Sequence, residues 1–169
     1  MFDIKRPTAT VDIVTDLDTL AQAIGLKTQI DEAKPDTAGL TDAEICAANK
    51  TTDKLRRELK ALLKTIDAST VTLTLRGLGS SQWNQIVAAR VTADPKTGRQ
   101  SSDVAGMLID ALPDMIVKAE QAGTPVDFDP QTDVPALLDA IVDTQTVELI
   151  STVQRLNTPQ VAVPKALRE

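Results

Sequence analysis

This chain of 169 residues has no histidine, no tyrosine, one tryptophan, two phenylalanines and a single cysteine. Without histidine there is no Ser-His-Asp or Cys-His nucleophile system, no His-ligated zinc and no ordinary general base titrating near neutrality. The lone Cys46 excludes an internal disulfide and fits a reducing compartment. With so few aromatics, the core falls to Leu, Ile, Val and Ala, which bury less surface per residue. The apolar runs are a few residues long, far short of the roughly 20 that cross a bilayer. The start, "MFDIKRPTATVDI", has a basic pair but neither the apolar stretch nor the small-residue cleavage site of a secretion signal. A net charge of -6 and a pI near 4.7 argue against nucleic acid as the main ligand, because neutralising phosphates needs a basic face.

What is present reads as a mainly α fold with a small two-stranded β-ribbon. A helical hairpin is inserted between the two strands, and a helical bundle follows. Residues 10–16 alternate, with Val11 and Ile13 on one face of a short strand. A helix is expected from Leu17 to about Ala33, its apolar stripe drifting through Leu20, Ala23, Ile24, Leu26 and Ile30 and loosened at Gly25. Pro35 and Gly39 break it, and Thr41 with Glu44 forms a capping box for the next helix. Ile45, Ala48, Thr52, Leu55, Leu59, Leu62 and Ile66 then recur at alternating spacings of 3 and 4, the narrow seam of a coiled coil. In "STVTLTLRGLG", Val71, Leu73 and Leu75 share one strand face and are expected to pair with Val11 and Ile13.

Ser80 can cap a helix with Trp83, Ile86, Val87 and the stem of Arg90 inward. A loop, "TADPKTGRQSS", precedes a long helix expected over 103–121, kinked at Pro113 and ended by Gly123. Two last helices, 134–142 and 146–157, carry Leu137, Leu138, Ile141 and Val147, Ile150, Val153. The expected layout is one domain over 1–157, made of 10–78 and 80–157, with an extended tail over 158–169.

None of the candidate chemical sites completes a pattern. Asp127, Asp129, Gln131 and Asp133 follow the start of a calcium loop, but Thr132 replaces its glycine and Leu138 its bidentate glutamate, so a helix-capping loop is the better reading. "RGLGSS" lacks the Lys-Ser/Thr of a P-loop and the third glycine of a dinucleotide fingerprint. Cys46 has no histidine to activate it, and Asp110 with Asp114 reads as a solvated charge pair. Trp83 has Gln82, Asn84 and Gln85 for neighbours, which suits a structural anchor better than a stacking platform. No catalytic residue, metal site or cofactor is expected.

The order of "RPTATVDI", "LRRELKALLKTIDAS", "TVTLTLRGLGSSQWNQIVAAR", "ELISTVQRLNT" and "VPKA" resembles the tail assembly chaperones of long-tailed bacteriophages, particularly those infecting actinobacteria. The resemblance covers nearly the whole chain, and its most specific parts are the strand, turn and Trp83 helix together with the late "LN". It implies a non-enzymatic protein of the host bacterial cytoplasm that binds the helical tape measure protein and keeps it soluble until tail tube subunits polymerise around it. Further partners under this reading are the tail tube protein, a frameshifted longer form and a second copy of the chain. No nucleic acid or membrane is expected.

Candidate partner-binding residues are Ile45, Leu137, Leu138, Ile141, Ile150 and Val153, with Trp83 as a structural anchor. A virion tail or connector protein and a small helical adaptor are the alternative classes. Frameshifting in the family falls near the end of the frame, where Val163, Pro164 and Lys165 are compatible with a slippery heptamer. Sequencing the gene past its stop codon should then reveal an overlapping frame, with mass spectrometry detecting a peptide that spans the shift. A gene without such a frame excludes the longer product.

Overall fold

Strand β1 (Thr8–Val14) leads into helix α1 (Leu17–Glu32), and helix α2 (Asp42–Ser69) runs into strand β2 (Thr70–Arg76). There follow α3 (Ser80–Arg90), β3 (Val91–Ala93), β4 (Gln100–Ser102), α4 (Val104–Met115), β5 (Ile116–Gln121), β6 (Thr124–Pro125), α5 (Pro130–Ala140) and α6 (Asp143–Asn157). The computed structural model describes residues 5–33, 39 and 41–158. The fold is mainly helical with a small antiparallel sheet, and a helical hairpin lies between the first two strands in the chain.

Two compact units are present. One contains residues up to Ile13, Thr72–Glu120 and the chain from Pro125 onward; the other contains Val14–Val71 and Gln121–Thr124. Most of β1 and β2 thus groups with the later helices. Of the expected tail over 158–169, only Thr158 lies within the described residues.

In the first unit, alternation in β1 and β2 decides the core. Val11, Ile13, Leu73 and Leu75 are buried, and Thr72 Oγ1 donates to Asp12 Oδ1 (2.6 Å) on the other face. The Gly77 N–H donates to the Pro7 carbonyl (3.0 Å), which fixes an antiparallel register pairing residue 7 with 77 and 12 with 72. An isolated ribbon is marginal in water. Here it is part of a four-stranded sheet in the order β1-β2-β5-β6, two strands more than the sequence suggested.

The missed strand is β5. Leu112, Met115, Ile116 and Ala119 are all buried and keep a helical spacing across the junction, so the pattern reads as one long helix. The helix instead ends at Met115, two residues after Pro113. The β-branched pair Ile116 and Val117 opens the strand. Ala122 and Gly123, both at positive φ (49° and 78°), form the two-residue turn of a hairpin closed by Val126 N–H to the Ala119 carbonyl (3.1 Å).

A second departure is the expected loop after α3. It contains an antiparallel hairpin, Val91 opposite Ser102 and Ala93 opposite Gln100, turned by Asp94, whose carboxylate accepts from the Lys96 N–H and the Thr97 hydroxyl. Helix α3 also starts differently: its N-cap is Gly79 without a side-chain cap, and Ser80 is the first helical residue. On α6 the buried positions are Leu149, Thr152, Val153 and Leu156, while Val147 is 63% exposed, so the inward stripe differs from the expected one.

A close backbone approach lies where β2 ends. A Cβ on buried Gly77 would sit 2.7 Å from the Leu156 carbonyl oxygen, so no side chain fits without moving α6. One residue later the Leu78 N–H donates to Asn157 Oδ1 (2.7 Å), and Asn157 Nδ2 donates to the Val153 carbonyl (2.8 Å). The strand's end is thereby clasped to the last turn of the helix. Gly77→Ala should cost about 1–3 kcal/mol by overpacking, and Leu112→Ala about 2–5 kcal/mol by opening a cavity. Urea unfolding followed by circular dichroism reads both losses.

Candidate partner-binding surfaces

The second unit is the helical hairpin. Thr15 Oγ1 donates to the Ser69 carbonyl (2.6 Å) at one end, and Gln22, Gly25, Leu26 and Gln29 of α1 share a groove with Glu58, Ala61 and Leu62 of α2. The helices therefore run antiparallel. Helix α2 begins with the expected capping box: the Thr41 N–H donates to Glu44 Oε2 (2.8 Å) and the Glu44 N–H to Thr41 Oγ1 (3.4 Å). The Thr41 hydroxyl also donates to that carboxylate (2.7 Å), holding Glu44 below the usual carboxylate range.

Every seam residue of α2 is at least partly covered, yet only Thr52 and Ile66 are buried; Ile45, Ala48, Leu55, Leu59 and Leu62 remain half-open. Thr52 keeps its hydroxyl satisfied by donating to the Ala48 carbonyl (3.0 Å). On α1 the covered positions include Leu20, Ala23, Leu26 and Ile30, and Ile24 is 60% exposed, off the stripe on which the sequence suggested it.

The groove measures about 590 Å³ and has Leu26, Ala61 and Leu62 as its apolar floor. Gly25 matters here through what it lacks: a Cβ at that position would meet nothing within 4 Å, so the groove is open above it. Along α2, Lys50, Lys54, Arg56, Arg57, Lys60 and Lys64 are all exposed, with only Asp53 and Glu58 as acidic residues in the same stretch. This acidic chain thus carries a locally basic face beside the apolar groove of the hairpin.

A smaller hollow of about 280 Å³ in the first unit is lined by Ala105, Leu108, Ile109, Pro135, Leu138, Asp139 and Thr146. It takes in one sequence candidate, Leu138. Leu137, Ile141 and Ile150 are half-buried outside it, and Ile45 is half-buried outside the hairpin groove. Val153, 2% exposed, belongs to the core and offers no surface. Trp83 is half-buried on the same face of α3 as Ile86, Val87 and Arg90, and α3 contributes no fully buried residue.

Gly25, Leu26, Ala61 and Leu62 are not among the partner-binding candidates read from the sequence. The signal was present in Leu62 on the seam and Leu26 on the α1 stripe. Gly25, taken only as a helix defect, lines the groove and faces open space.

Arg90 is more than a buried stem. Its Nε and Nη2 donate to both oxygens of Asp110 (2.7 and 2.9 Å), and its Nη1 reaches Asp103 (3.3 Å). Asp103 caps α4 by accepting from the Gly106 N–H (2.9 Å), and a side chain at Gly106 would collide with that carboxylate. Asp110 is therefore a tethered structural anion, not half of a solvated pair with Asp114. The hydrogen bond from Arg90 holds the Asp110 carboxyl below its ordinary 3.8, and the hydrogen bond to Asp110 raises Arg90.

The acidic loop caps α5, as the sequence suggested: Asp129 accepts from the Gln131 N–H (3.1 Å) and Asp133 from the Asp129 N–H (2.8 Å). Among the described residues no group of three or more acidic or cysteine side chains could hold a metal, and no helix is long and apolar enough to cross a membrane. Cys46 is exposed. No protein-family model matches the chain, and neither does any curated protein or solved structure.

A carboxylate whose pKa is lowered on folding contributes stability above its unfolded value and loses it as pH falls through the lower, folded one. The Asp110 contribution should therefore be full above 3.8 and fade below it, in the same direction as Asp16, Glu44 and Asp94. The urea midpoint of Asp110→Asn should lie below that of the parent at about pH 6, and the gap should narrow as pH falls below 3.8.

Proposed function

We propose that this chain is a non-enzymatic tail assembly chaperone of a long-tailed bacteriophage. In this reading the hairpin of α1 and α2 takes up an amphipathic helix of the tape measure protein in the host cytoplasm and keeps it soluble while the tail tube polymerises. The observation that supports it best is the half-covered seam: a 28-residue helix whose apolar row is closed at only two positions, beside an apolar groove of about 590 Å³. Two antiparallel helices with an open seam accept a third as helix-in-groove recognition does, through apolar anchors spaced three and four apart.

The exposed basic residues between Lys50 and Lys64 favour a partner helix whose apolar stripe is bordered by Asp and Glu. Release is served by the same weakness. Ala48 offers little apolar surface and Thr52 is already covered, so a partner helix is held loosely and can be surrendered to the polymerising tube. The sequence resemblance supplies the biological setting, and the groove supplies a physical means.

The test is co-expression with the tape measure protein encoded in the same phage genome, comparing the parent chain with Gly25→Leu. Replacing glycine within a helix should leave the fold intact and stabilise it by about 0.8 kcal/mol. Filling the groove should weaken tape measure binding by about tenfold or more and return that protein to the insoluble fraction. Undiminished binding by a folded Gly25→Leu protein would overturn the assignment of the groove. Failure of the parent chain to hold the tape measure protein would overturn the chaperone reading itself.

A further inference from the structure

The sheet treats its two edges differently. Its β6 edge is two residues long and contains Pro125, which blunts pairing. Its β1 edge is seven residues long, Thr-Ala-Thr-Val-Asp-Ile-Val, with no proline, lysine or arginine, and no described strand pairs with its outer side. The register says which groups face outward. Residues 7 and 77 form a hydrogen-bonded pair, so alternation gives the main-chain groups of Ala9, Val11 and Ile13 to β2 and those of Thr8, Thr10 and Asp12 to the open edge.

We propose that this edge pairs with the same edge of a second copy, antiparallel and centred on Val11, joining two sheets across a two-fold axis. Self-pairing is favoured because the strand complements itself in this register. Thr10 and Asp12 of each copy face Asp12 and Thr10 of the other as hydrogen-bonded pairs, polar against polar. Ala9 meets Ile13, and Val11 meets Val11, so the core faces of the two sheets lie on one side.

The neighbouring registers are worse: a centre at Asp12 would set two carboxylates against each other, and a centre at Thr10 would set Ile13 opposite Pro7. The face carrying Thr10 and Asp12 is exposed, and Asp12 is already held by Thr72, so both chains arrive with the strand ordered.

The test uses the full chain alone. Sedimentation equilibrium should show a monomer–dimer equilibrium at micromolar concentrations, and amide exchange should slow at Thr10 and Asp12 as concentration rises, while Val11 and Ile13 are protected throughout. Thr10→Pro removes one outward donor from each copy and leaves the ladder to β2 intact, so it should weaken association about tenfold or more. If that variant does not fold, Thr10→Asp sets a second carboxylate against Asp12 and should have the same effect.

A chain that stays monomeric overturns the proposal, as does a dimer in which the Thr10 and Asp12 amides exchange as fast as in the monomer. Protection of those amides only when the tape measure protein is added would assign the edge to a different occupant and equally overturn self-pairing.

Discussion

The first unit depends on the close approach of two backbones where β2 ends against α6. A core with almost no aromatic side chains fills its volume with Leu, Ile, Val, Ala and Met, and such a core closes only if the elements around it come near one another. Gly77 permits that nearness because it has no Cβ to strike the Leu156 carbonyl, and Asn157 makes it specific by accepting from the Leu78 N–H. The fully buried Leu73, Leu75, Leu112 and Leu149 belong to the same unit. Together Gly77 and Asn157 tie the end of β2 to the last turn of α6.

The second unit is built on the opposite principle. Its helices bury Ala23, Ile30, Thr52 and Ile66 and leave the rest of the seam half-open, so its apolar contacts are numerous but shallow. One unit therefore has a closed core, and the other an apolar row left half-covered. Burial at roughly 25 cal/mol per Å² means that each half-covered leucine retains part of its driving force for association. A protein that must hold a partner and later release it is served by such a surface better than by a deep pocket.

Most of the fold was legible in the sequence where periodicity and capping agree. The seam from Ile45 to Ile66 names the covered residues of α2 up to Ile66, and the Thr41–Glu44 box marks where that helix begins. The alternation of Leu73 and Leu75 marks the buried face of β2. What failed did so for physical reasons. Leu112, Met115, Ile116 and Ala119 sustain a helical period across a helix–strand junction, hiding β5. The exposed β3–β4 hairpin has no buried face to leave a pattern. On α6 the spacing of Val147, Ile150 and Val153 fits a stripe as well as Leu149, Thr152, Val153 and Leu156 do, and only tertiary packing chooses between them. The groove was half legible, because its leucines lie on visible stripes while Gly25 and Ala61, which also line it, leave no apolar signal.

The proposed role of the hairpin is tested most directly by hydrogen exchange of this chain with and without the tape measure protein of the same phage. A helix seated on the seam should slow exchange along 22–29 and 55–62 and leave the joint at Gly77, Leu78 and Asn157 unchanged. Unchanged exchange along the hairpin, with protection appearing only around Ile109, Leu138 and Thr146, would contradict it and move the binding surface to the smaller hollow.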